Sequence, residues 1–132
     1  DYVSESGSTL VCVVSAQALR DDARKAAEKS MAALGYGVGP TFIVLTADDV
    51  TLSDQDLFSL VEGVDPLVVV ATDAPTAAAL SHAYRIDVKP GEANRLFGRD
   101  TVAFRDLENM LATPEDKQRA WALFKKIPKQ RG

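Results

Sequence analysis

One cysteine and one histidine stand among 132 residues, and only 7% of the chain is aromatic. Cys12 lies in the apolar run Leu10, Val11, Cys12, Val13, Val14, where a thiol behaves as a small buried hydrophobe. With no second cysteine, neither an internal disulfide nor a thiolate-rich metal site can form, and a reducing, cytoplasmic setting is expected. His82 falls within a helical pattern and has no cysteine partner for nucleophilic work, so a surface or half-buried position is expected. Ser15 and Ser81 have neither a strained elbow nor a base beside them. The turn after the first apolar run, Ser15, Ala16, Gln17, contains no glycine, which argues against a phosphate loop or a dinucleotide fingerprint. No cofactor and no metal are expected.

Long apolar runs are missing too. Nothing approaches the roughly 18 to 20 residues of a membrane-spanning helix, and the N-terminus carries no signal-peptide pattern. The first residue is Asp1 rather than methionine, so the segment is expected to be trimmed or processed from something longer. Residues 1–8, polar and containing Gly7, read as a flexible lead-in outside the fold. Residues 9–132 read as a single α/β domain, because a chain of this length with 46% hydrophobic residues can bury a core without disulfides or metal.

What is present is an alternation of short buried runs and helical patterns. Residues 9–15 are continuously apolar and β-branched, as in a strand covered on both faces. Over residues 18–34, Leu19, Ala23, Ala26, Ala27, Met31 and Leu34 recur at helical spacing, with Arg24, Lys25, Glu28 and Lys29 between them. Gly35 and Gly37 supply the stop. A second strand is expected over 41–46. Ser53 and Asp56 then open a helix with Leu57, Leu60 and Val61 on one face, ended by Pro66. A third strand is expected over 67–71, and an alanine-rich helix over 75–85 begins at Pro75. Residues 86–98 contain Pro90 and Gly91 and read as an irregular connection with one helical turn near 93–97. A shorter fourth strand follows over 101–104. Thr113 caps the last helix, which starts at Pro114 with Glu115 and Asp116 on its positive end, buries Ala120, Trp121, Leu123, Phe124 and Ile127, and stops at Pro128. Such alternation forces parallel pairing through right-handed crossovers, here with four strands.

Charge is divided unevenly. Residues 1–74 carry 4 Lys or Arg against 12 Asp or Glu, and residues 75–132 carry 11 against 7. Lys117, Arg119, Lys125, Lys126, Lys129 and Arg131 meet no acid after Asp116, a stretch that either solubilises the end of a helix or meets phosphate or an acidic partner. In an open parallel sheet, ligands bind beyond the carboxyl ends of the strands. Asp48, Asp49, Asp73 and Asp106 stand in those turns, where they act either as turn formers and helix caps or as oxygen ligands for Mg²⁺. No ligand spacing supports a metal.

The run Pro66, Leu67, Val68, Val69, Val70, Ala71, Thr72, Asp73, continuing through Ala74 and Pro75 to Leu80, resembles the strand, turn and alanine-rich helix of uracil-DNA glycosylases. The segment from Val102 to Pro114, followed by Lys117, Arg119 and Trp121, is similar to that family's last strand, histidine–proline–serine loop and final helix. The helix ending Ala32, Ala33, Leu34, Gly35 and the strand from Phe42 to Leu45 also fit, so the resemblance spans roughly residues 9–127. It implies a three-layer αβα fold and a site from which the catalytic groups are missing. Where the family carries a water-activating motif in a glycine- and proline-containing loop, this chain has Ser15, Ala16, Gln17 and Ala18. Where an asparagine reads the base, it has Thr46, Ala47 and Asp48. The loop histidine falls on Asp106, its proline on Leu107 and its serine on Glu108, and an anion there opposes the negative charge that develops on a departing base. A single cysteine cannot hold the iron–sulfur cluster of some members, and the short first loop leaves little material for a pocket around a flipped base.

The resemblance therefore implies a glycosylase-like scaffold in non-catalytic use. Its layout is similar to the psi subunit of bacterial DNA polymerase III, an adaptor in the clamp-loader assembly. The expected function is a binding or adaptor module in DNA replication or repair, partnered by protein or DNA and not by a membrane. If the partner is DNA, Arg95, Arg99, Arg105, Lys125, Lys126 and Lys129 are the candidates, with salt-sensitive affinity. The alternative is a DNA- or nucleotide-directed hydrolase, which requires Asp48, Asp49, Asp73 and Asp106 to converge in one cleft. A third possibility is one domain of a larger protein or a homo-oligomer, with the last helix contributing to an interface.

Overall fold

The computed structural model describes residues 2–4, 8–37 and 39–130; Arg131 of the basic stretch and residues 1 and 5–7 of the expected lead-in lie outside these. The elements are β1 (Ser8–Ser15), α1 (Asp21–Ala33), β2 (Pro40–Val44), β3 (Thr46–Ala47), β4 (Val50–Thr51), α2 (Asp54–Val64), β5 (Val68–Ala71), α3 (Ala74–Tyr84), β6 (Glu92–Leu96), β7 (Arg99–Ala103), a 3₁₀ turn (Asn109–Leu111) and α4 (Pro114–Phe124). The main sheet has the order β2-β1-β5-β7-β6, with β2, β1, β5 and β7 parallel and β6 antiparallel to β7.

The sheet thus has five strands rather than four, and the fifth lies where a helical turn was expected. Residues 92–96 form an edge strand whose only fully buried side chain is Leu96, so its sequence carries little strand signal. Pairing to β7 makes it a strand. The two join through Phe97 and Gly98, at φ 51° and 83°, a two-residue turn of the kind whose twist matches a hairpin.

Burial on both faces explains the unbroken apolar runs. Val11, Val13, Val68, Val70 and Val102 point toward α1 and α4, whereas Cys12, Val14, Ile43, Val69 and Ala103 point toward α2 and α3. On the first side Phe104 packs against Phe124 with ring centroids 4.8 Å apart and the rings tilted by 53°. On the second, Ala77 and Leu80 of α3 share a core cluster with Leu57 and Val61 of α2. Cys12 is fully buried, and that burial pushes its thiol pKa up to about 12, so it is a packing residue. The expected caps are present: the Ser53, Asp73 and Thr113 side chains accept from the amides of Asp56, Thr76 and Asp116.

Residues 2–4, placed outside the fold by the sequence, run beside the outer edge of β2. Val3 bridges Ile43, Ser4 N donates to Phe42 O, and Val44 N donates to Tyr2 O. They thereby cover backbone groups that an open edge would leave exposed.

Arg99 ties the β6–β7 hairpin to the end of α2. Its guanidinium donates to Glu62 at 2.6 Å, to Asp65 at 2.8 Å and to the Pro66 carbonyl at 2.9 Å. Tyr84 Oη also donates to Glu62, at 2.6 Å. Burial alone would raise the Glu62 pKa, but the bonds from Arg99 and Tyr84 outweigh it and hold the carboxyl below its usual value. A lowered folded-state pKa makes this contribution complete above the ordinary value of 4.5 and lost progressively as pH falls below it. Glu62→Gln is expected to cost about 1 kcal/mol at pH 7, a figure held down by partial exposure. Thermal melts at pH 7 and pH 3 check this: the gap between parent and variant should close in acid.

Candidate functional site

The chain leaves β1 for β2 on one side and returns past β1 to β5 on the other, so the sheet's switch point lies at the ends of β1 and β5. In folds of this kind that crevice holds the ligand, and helix N-termini supply donors for its anionic groups. Here the chain's own carboxylates take those places. Asp73 Oδ1 accepts from Thr76 N at 2.8 Å, capping α3, while its Oδ2 reaches across the crevice to Ala16 N at 3.1 Å. At the start of α1, Glu108 Oε2 accepts from Arg20 N at 2.7 Å, and the Arg20 guanidinium donates back to the Glu108 carbonyl at 2.9 Å. Backbone bonds continue the closure beyond the strands, with Leu45 N on Ser15 O, Thr46 N on Ala16 O, Leu107 N on Thr72 O and Ala74 N on Arg105 O.

The four strand-end aspartates are divided. Asp48 and Asp49, at φ 51° and 62°, form the exposed two-residue turn of the β3–β4 hairpin. Asp73 is the cap and clamp just described. The backbone of Asp106 bridges that of Asp73, but its side chain turns forward, accepting from Asn109 N at 3.2 Å and Asn109 Nδ2 at 2.7 Å. Among the described residues, no group of three or more His, Cys, Asp or Glu side chains is placed to hold a metal ion. His82 is exposed on α3, and Ser81 Oγ is engaged with the Ala77 carbonyl and Val88 N.

The six basic candidates are divided as well. Arg99 is internal, its side chain only 10% exposed, and cannot be offered to a polyanion. Arg95 is exposed but ion-paired with Asp100 at 2.8 Å. Arg105 follows β7 and borders a groove of about 440 Å³ with Asp106, Asn109 and Arg119. Lys125, Lys126 and Lys129 are exposed after α4, and Lys125 Nζ lies 5.7 Å from the centre of the Trp121 ring.

An open groove of about 480 Å³ runs between α1 and α4. Ala26, Ala120, Leu111 and Phe124 contribute apolar lining, and Trp121, expected in the core, is 37% exposed along it. Lys25 and Lys29 stand on the α1 side and Lys117 on the α4 side. Among the described residues none of these three lysines is ion-paired, whereas Arg20, Arg24, Arg95, Arg99 and Arg119 all are. In the sequence Lys25 and Lys29 stand simply between the apolar positions of the first helical pattern. Their juxtaposition with Lys117 depends on the packing of segments some 90 residues apart, and no local signal carries it.

No family model matches the chain, and no curated protein matches its sequence. Among the described residues, no helix is long and apolar enough to cross a membrane.

Proposed function

We propose that the chain is a non-catalytic binding or adaptor module on a uracil-DNA-glycosylase-like, three-layer αβα scaffold, serving DNA replication or repair in the cytoplasm. The observation that carries this reading is the closure of the switch-point crevice by Asp73 and Glu108. Groups that would receive a phosphate or a reacting anion in an open site of this kind are already bonded to carboxylates of the chain, and a further anion would meet their negative charge. The hydrolase alternative needs Asp48, Asp49, Asp73 and Asp106 in one cleft. Two of them form an exposed hairpin turn, and the other two are spent on bonds to different backbone segments. An open groove with the unpaired lysines Lys25, Lys29 and Lys117 lies instead between the helices α1 and α4.

The test is a uracil-excision assay on single- and double-stranded DNA, with a salt-titrated binding curve on the same oligonucleotides. No release of uracil is expected. Release would overturn the non-catalytic reading. Salt-sensitive binding without release would make DNA a partner of the module, and no binding would leave a protein as its partner.

A further inference from the structure

We infer that the α1–α4 groove is a docking site for an acidic amphipathic helix of a partner protein. The inference rests on the binding-module reading and names the partner chemistry. Two properties of the groove select the occupant. Its lining is mainly apolar, with Ala26, Ala120 and Phe124 beside the half-exposed indole of Trp121, so the occupant must bring apolar side chains to bury. Its rim carries Lys25, Lys29 and Lys117 without ion-pair partners among the described residues, so the occupant must also bring carboxylates.

A helix with leucine or phenylalanine at i, i+3/i+4 and i+7, flanked by glutamates, meets both demands. Lys25 and Lys29 are four residues apart on α1 and so stand one turn apart on one face, matching carboxylates spaced by a turn on the occupant. Nucleic acid fits less well. A phosphodiester backbone cannot use an apolar lining, Trp121 is the only exposed aromatic residue among those that line the groove, and Asp22, which also lines it, repels a continuous polyanion. Discrete carboxylates on a peptide can be set beside the lysines and away from Asp22. The small alanines of the floor leave room for bulky anchors, and Trp121 offers them a flat apolar wall.

Trp121 is the only tryptophan, so its fluorescence reports on the groove directly. The probes are synthetic Leu/Glu/Ala and Phe/Glu/Ala amphipathic helices of about four turns, a charge-inverted Leu/Lys/Ala helix, and a single-stranded oligonucleotide. At least one acidic helix is expected to shift the Trp121 emission, with an affinity that falls as salt rises, while the basic helix does not. The triple substitution Lys25→Gln, Lys29→Gln, Lys117→Gln should weaken the acidic helix by on the order of tenfold, with the melting temperature unchanged, as three solvent-facing charge contacts predict. Silence of Trp121 to both acidic helices overturns the inference. Equal response to the basic helix, indifference to the triple substitution, or tighter binding of the oligonucleotide at Trp121 does the same. The binding-module reading falls separately, on uracil release.

Discussion

Phe104→Ala is expected to destabilise the fold by about 4 kcal/mol, the range found for deleting a buried aromatic ring. Phe104 is fully buried just beyond β7, packed against Phe124 of α4, and shares a core with Val70, Val102 and Leu107. Its removal leaves a cavity under α4 that the sheet, held by β5 and β7, cannot close by moving. Urea unfolding followed by far-UV circular dichroism measures the loss. A loss below about 1.5 kcal/mol would mean that α4 settles onto the sheet once the ring is gone. The substitution also weakens one wall of the α1–α4 groove, because Phe124 lines it.

Asp73→Ala is expected to cost about 2–3 kcal/mol, because one carboxylate serves two elements. Its Oδ1 caps α3 through Thr76 N, and its Oδ2 satisfies Ala16 N across the switch point. Asp73→Asn separates these roles. An asparagine carbonyl still caps a helix, but the amide nitrogen cannot accept from Ala16 N, so about half of the loss should return. Equilibrium unfolding of the three proteins decides. A cost under about 0.5 kcal/mol for the alanine variant would show that the carboxylate is not structurally committed, and would restore Asp73 as a candidate for chemistry.

Closure of the crevice by Asp73 and Glu108 also bears on how this scaffold differs from an open α/β binding fold. The carboxylates stand at the two places, the α1 start and the α3 start, where a bound anion would gain from helix N-terminal donors. An internal anion there stabilises the native chain and removes the site from competition. On the proposed binding-module reading, the partner would then meet side-chain surfaces on the helices, such as the apolar groove between α1 and α4 with Lys25, Lys29 and Lys117 around it.

The sequence by itself determined the α/β class, the four parallel strands and the caps on α2, α3 and α4. Those features are local: continuous burial shows as an unbroken run such as 68–71, and Ser53, Asp73 and Thr113 act within three residues of themselves. It also indicated a buried packing role for Cys12, from the apolar run around it, and a surface or half-buried helical position for His82, which the structure shows exposed on α3. Tertiary structure alone decided the rest. Strand β6 exists because β7 pairs with it, although Pro90 and Gly91 precede it and only Leu96 is fully buried. Residues 2–4 join the fold because β2 has an edge to cover. Arg99, read as a surface cation, is internal because Glu62 and Asp65 converge on it from another element. Glu108 reaches Arg20 over a separation of 88 residues, and Lys25, Lys29 and Lys117 meet only because α1 and α4 share one face of the sheet. Periodicity reports which side of an element is covered; which elements lie side by side, and which charges then face each other, follows from how the chain closes on itself.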